Sequence, residues 1–131
     1  METALTALLT GDARVKQLAG TKVHWVRAPQ GTVTPFAVLQ VISSRDDYHA
    51  QGPSGLTDAR VQVDAYAESY LAAKRLSDAI LAVLSGYRGT VSGVRLQGGF
   101  VDNRRDFPAA TSGDEKPLFR RSADIIIWHS L

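Results

Sequence analysis

Between Thr57 and Val83 the apolar period of this chain changes from two residues to about 3.6. Thr57, Ala59, Val61, Val63 and Ala65 fall on one face of an alternating strand, and Asp58, Arg60, Gln62 and Asp64 on the other. Ala72, Leu76, Ala79, Ile80 and Val83 then recur at helical spacing as far as Gly86. Side chains alternate across a strand and wind around a helix, so a strand must hand over to a helix here. Upstream, the apolar run Phe36 to Ile42 leads through a polar connection, Ser43 to Ser54, into that strand. Strand, long hairpin connection, strand and helix make an α+β unit.

The rest of the chain extends it. Leu5, Leu8 and Leu9 mark an amphipathic N-terminal helix. Asp12 is placed to cap a second short turn through Leu18, with Gly20 as its stop. Thr21 to Arg27 reads as a strand with Val23 and Trp25 on one face, and Ala28-Pro29-Gln30-Gly31 as a turn. Pro35 opens the strand Phe36 to Ser43, a position that tolerates a missing N–H. The central helix spans about Ser69 to Ser85, with Ser69 as N-cap. A weaker strand covers about Thr90 to Leu96, and Gly98-Gly99 predicts a bulge or bend. The polar stretch Asp102 to Lys116, bounded by Pro117, reads as an exposed loop. Leu118 to His129 closes the chain as a strand. The expectation is one small domain over residues 1–131, a mainly antiparallel sheet of about five strands packed by an N-terminal helix and a longer central one.

Two strands have no wet face. Phe36, Val38 and Ile42 oppose Ala37, Leu39 and Val41, and Ile125-Ile126-Ile127-Trp128 is apolar throughout. A small antiparallel sheet ordinarily leaves one face to water. Either helix and N-terminal segment cover the two sides of the first strand, or another subunit covers one.

The composition excludes more than it assigns. The 131 residues carry a net charge of +2, too little to argue for nucleic acid alone. Cysteine is absent, which removes disulfides, thiolate zinc sites and cysteine nucleophiles. The opening residues lack the basic region of a signal peptide, and no run nears the ~20 apolar residues of a membrane span. A soluble protein made in the cytoplasm, with no membrane partner, is expected. His24, His49 and His129 lack ligand spacing, so no metal and no cofactor is expected. Asp46-Asp47 beside Tyr48-His49 reads as a solvated hairpin tip rather than an acid–base pair. Gly52-Pro53-Ser54-Gly55 has neither phosphate-loop nor nucleophile-elbow form and serves to reverse the chain. Gly86-Tyr87-Arg88-Gly89 resembles a KH-type G-x-x-G loop only in form and reads as a helix stop. No residue set supplies a nucleophile with its base, so no enzyme is expected. Arg95, Arg104, Arg105, Arg120 and Arg121 could converge on one edge if the last strands pair. They are either solvated charge balanced by Asp102, Asp106, Asp114 and Glu115, or a basic rim for an acidic surface or passing DNA.

Several local motifs occur in a telling order: Leu8-Leu9-Thr10-Gly11-Asp12, Leu18-Ala19-Gly20 with Lys22-Val23, Pro35-Phe36-Ala37-Val38, and Gly52-Pro53-Ser54-Gly55-Leu56. Arg60-Val61-Gln62-Val63-Asp64-Ala65-Tyr66-Ala67 follows, then Tyr70, Ala73 and Leu76. Over roughly residues 4 to 86 the chain resembles the tail-completion, or tail-terminator, family of long-tailed bacteriophages and prophages. The resemblance implies a structural virion protein, made in the host cytoplasm, that forms a ring, typically of six subunits, at the head-proximal end of the tail tube. Such a ring ends tube assembly and joins head to tail. Its implied partners are copies of itself, tail tube protein, a neck or head-completion protein, and DNA passing through the lumen without sequence-specific binding. The family carries no catalytic motif. Candidate subunit or partner contacts are Arg45, Asp46, Asp47, Tyr48, His49, Phe36, Val38, Ile126 and Trp128, and the five arginines are candidates to face lumen or partner. A head–tail adaptor or stopper is the alternative, and a small nucleic-acid-binding module the less favoured one.

Overall fold

Side-chain caps begin two of the helices where the sequence places them. In the computed structural model, which describes residues 1–110 and 118–130, the Asp12 carboxylate accepts from the N–H groups of Arg14 and Val15. The Ser69 hydroxyl accepts from Ala72 N–H at 3.1 Å. These caps satisfy donors that the first helical turn leaves without partners. The elements are α1 (Glu2–Gly11), α2 (Ala13–Ala19), β1 (Val23–Trp25), β2 (Phe36–His49), β3 (Gly52–Ala67), α3 (Tyr70–Leu84), β4 (Gly89–Val91), β5 (Val94–Ala110) and β6 (Leu118–Ser130).

The strands form one six-stranded sheet in the order β1-β2-β3-β6-β5-β4. β1 runs parallel to β2 and every other pairing is antiparallel. Ala59, Val61, Val63 and Ala65 of β3 are fully buried, with Ala37 and Leu39 of β2 and Ala123 and Ile125 of β6. They share one core with Leu5 and Leu9 of α1, Val15 of α2, and Leu76, Ile80, Leu81 and Leu84 of α3. Each large aliphatic chain buried here contributes about 1.5–3 kcal/mol. The alternation in β3 and the stripe of α3 therefore meet as expected. Leu81 joins the core, whereas Leu71 is exposed.

All three helices pack on the same face of the sheet, because their buried residues form one cluster with that face. The N-terminal segment thus does not cover the second side of β2. Phe36, Val38, Ile126 and Trp128 lie on the opposite, helix-free face, opposite Tyr66, Asp64, Arg60 and Asp58 respectively.

Three expectations change. The segment Ser43 to Ser54 is mostly strand: β2 runs to His49, β3 starts at Gly52, and the chain reverses at Ala50-Gln51. Gly52-Pro53-Ser54-Gly55 is strand, not the reversal. Asp102 to Ala110 continues β5 instead of forming a loop, because each of Asn103 to Phe107 has a partner on β6; residues 111–117 lie outside the described residues. There are six strands, since β4 turns back on β5 at Ser92-Gly93. The glycine pair does bend the ladder, with a register shift between Leu96 and Gly98.

Candidate functional site

The polar side chains of β3, β6 and β5 that face away from the helices form one connected network. Arg60 Nη1 donates to Asp102 Oδ2 at 2.8 Å and to Asp124 Oδ2 at 3.0 Å. Arg105 donates to Asp124 Oδ1 at 3.3 Å, Asn103 Oδ1 at 2.7 Å and Gln62 Oε1 at 3.2 Å. Gln62 Nε2 donates to Asp64 Oδ2, which also accepts from Arg120 Nη2 at 3.0 Å. The alternation that buries Val61 and Val63 is what aims Arg60, Gln62 and Asp64 outward together.

Aromatic rings close one end of this face. Phe36 stacks on Tyr66 with ring centres 5.0 Å apart, and the Arg120 guanidinium lies 4.2 Å from the centre of Phe107. At the other end Ile126 and Trp128 stand half-buried beside Phe100, which is exposed. The four apolar candidates thus share a face but occupy its two ends, with the ionic network between them.

Charge on this face is balanced. Donation to Asp102 and then Asp124 holds the Arg60 pKa above its ordinary value, and the same bond holds the Asp102 carboxyl below its own. Burial raises the Tyr66 phenol, with Asp64 adding to the rise and Arg120 opposing it. An arrangement of paired ions holds geometry; it offers no uncompensated cation to an anionic ligand.

The five arginines do not converge. Period two sends neighbours to opposite faces, so Arg105 and Arg120 line the open face while Arg104 and Arg121 lie on the helix side. Arg121 binds Asp106 at 2.6 Å and Tyr70 Oη at 3.4 Å. Arg95 sits at the far end of β5, opposite Ser130 and Thr90. The balancing role expected of Asp106 is observed with Arg121, whereas Asp102 pairs with Arg60, and Arg105 and Arg120 take Asp124 and Asp64 instead; Asp114 and Glu115 fall outside the described residues.

Arg45, Asp46, Asp47, Tyr48 and His49 form the exposed end of β2. β6 accompanies β3 only as far as the pair Thr57–His129, so beyond it β2 and β3 project as a two-stranded arm. Arg45 bonds Asp58 at 3.4 Å, Asp46 accepts from Thr57, and Tyr48 is 66% exposed. The three histidines sit on β1, the end of β2 and the end of β6. Among the described residues no three His, Cys, Asp or Glu side chains cluster to hold a metal, and no helix is long and apolar enough to cross a membrane.

The family model for the tail completion protein gp17 matches residues 3–130. The chain belongs to the tail completion protein gp17 family. This is a family of structural virion proteins of the phage tail, and its match extends well past Gly86, where the sequence resemblance faded. The fold is similar to that of a chain in a structure described as the virion of a native gene transfer agent particle, with a TM-score of 0.74 at 20% identity. That alignment covers 100% of this chain and 95% of the other. At that identity the likeness is one of fold. No curated protein sequence matches this chain.

Sequence reasoning missed Gln62, Asp64, Asn103 and Asp124 as members of one site. The signal was the polar face of β3 itself, together with Asp124 set beside an apolar run.

Proposed function

We propose that this protein is a tail terminator: a ring, of six subunits by family resemblance, at the head-proximal end of the tail tube that stops tube growth and presents the surface joined by the neck. The whole of residues 1–131 acts as one such domain, in the virion once assembled, with no catalytic role and no bound cofactor. The observation carrying this reading is the β2–β3 arm. A two-stranded ribbon alone is marginally stable in water, and this one extends past its neighbouring strand with Tyr48 exposed. Such an arm gains most when a partner covers it. Arg45 to His49 are therefore assigned to partner contact, with Phe36, Val38, Ile126 and Trp128 as further contacts on the open face. Arg95 and Arg104, exposed and without an ion pair among the described residues, are the remaining candidates to face DNA or partner. Arg105, Arg120 and Arg121 are committed to aspartates.

Replacing Asp46, Asp47 and Tyr48 together with Ser tests the arm. The variant is expected to fold with little change in melting temperature, since exposed substitutions usually shift stability by under about 0.5 kcal/mol. It should complete few tails. Tails completed at the normal yield would sink the assignment, and capture of portal instead of tube protein in a pull-down would favour the adaptor reading.

A further inference from the structure

Both edges of the sheet are open over long stretches, and the two stretches match. β1 covers the outer edge of β2 only at Ala37, Val38 and Leu39. β4 covers the outer edge of β5 only at Val94, Arg95 and Leu96, and past it Gly86 N–H reaches Gly99 O at 2.8 Å. From Gln40 to His49 of β2, and from Phe100 to Ala110 of β5, no strand among the described residues pairs on the outer side. Each stretch presents a row of backbone donors and acceptors that a further strand can meet.

The two edges are complementary in direction and position. Three antiparallel pairings separate β2 from β5, so they run oppositely within one copy. A second copy set beside the first by rotation therefore brings its β2 antiparallel to the first copy's β5. The register chain Leu96–His129–Thr57 puts β4 at the arm end of the sheet. Ala37–Ala65 puts β1 at the opposite end. Each short strand is thus an end stop that leaves the other's stretch clear.

We propose that neighbouring copies join edge to edge, the free part of β5 in one pairing with the free part of β2 in the next, so that the sheet continues from copy to copy. Overlapping the two stretches fully requires neighbours to be offset along the strands, which is the stagger that lets a sheet close on itself. It also keeps the helices of both copies on the same side. In that register Arg104 of one copy stands opposite Asp46 of the next, both on the helix side. Arg104 lacks an ion pair among the described residues, and Asp46 accepts only from Thr57. Arg105 then faces Arg45, each already held by its own aspartate, Asp124 and Asp58. The edge charges and the bulges at Ile42 and Asp102 discourage indiscriminate pairing, so the fit selects this partner. The contact is heterologous, and rotation closes it into a ring.

This inference rests on the ring reading of the protein, and one experiment separates them. Amide hydrogen exchange is measured on the isolated chain and on the assembled ring, with light scattering reporting subunit number. In the ring, amides of Gln40–His49 and Phe100–Phe107 should slow by about tenfold or more. A ring whose edge amides exchange at the isolated rate overturns edge pairing and leaves the ring standing. Protection that appears only with tube protein, in a chain that stays monomeric, overturns both, as does failure to assemble. Register is read independently. The chain has no cysteine, and residues opposed across an antiparallel ladder lie roughly 4.5–5.5 Å apart at Cα, within reach of a disulfide. The double variant Arg104→Cys/Asp46→Cys should therefore oxidise to a ladder of multimers, while an equal mixture of the single variants gives dimers alone. A ring that yields no ladder overturns the register.

Discussion

The backbone of Gly99 passes so close to the end of α3 that a β-carbon at this position would overlap the Leu84 carbonyl oxygen. Gly86 N–H bonds Gly99 O just beside it, so the helix stop and the β5 strand are fastened to one another. The requirement is for space, not for unusual backbone angles.

Gly99→Ala should therefore destabilise the protein by about 1–3 kcal/mol, the range for overpacking a close contact. Gly98→Ala is its control. A β-carbon there would meet only the edge of the exposed Phe100 ring, at 3.0 Å, and that ring can turn away. Urea denaturation of both variants checks the contrast; equal costs would show that the Leu84 contact is not limiting.

Asp124 accepts from Arg60, Arg105 and Asn103 and is only 14% exposed in its side chain. Asp124→Ala leaves several donors short of a partner at once and should cost about 1–3 kcal/mol. Removing Asp102, 43% exposed, should matter less at neutral pH. Its carboxyl is held below the ordinary 3.8 by the Arg60 bond, so its contribution is complete above that value and disappears as pH falls through the lower folded one. Asp102→Asn should flatten the acid limb of a stability–pH curve only in that range.

How far the sequence reached depends on burial. α3 was legible because Ser69 caps it and a stripe of buried residues repeats along it, and β3 because Ala59 to Ala65 alternate against that helix. The strand ends at Ser43–His49 and Asp102–Ala110 were not. Both faces are wet from Ser43 to His49 and from Asp102 to Pro108, so no apolar alternation marks them. Their support comes from cross-strand partners such as Asp102 with Arg60 and Asp106 with Arg121, which sequence separation conceals. The same blindness made Arg104-Arg105 and Arg120-Arg121 look like paired charge, although each pair straddles the sheet.

Ile126 separates folding from assembly. In a strand apolar on both faces an aspartate here buries an unpaired charge, at large cost, if a partner or the fold encloses the site. In the folded chain Ile126 is half-buried on the open face, opposite Arg60 and Phe100. Ile126→Asp should then leave circular dichroism intact and lower stability by no more than about 1–2 kcal/mol. Loss of tail completion with the fold retained would mark this face as a partner contact. Normal completion would show that it stays open to water or lumen.

His129 gives the protein a dependence on pH. Burial holds its imidazole below the ordinary 6.5, and the N-terminal ammonium pushes the same way, while Glu2 and Asp46 oppose them. Above 6.5 the ring is neutral in both folded and unfolded chains and contributes no slope. As pH falls below 6.5 the unfolded chain takes up a proton that the folded one resists, so stability declines until the folded value is passed. The melting temperature of the native protein should fall as pH drops below 6.5. His129→Gln should remove that slope. An unchanged slope in His129→Gln would assign the acid sensitivity to another group.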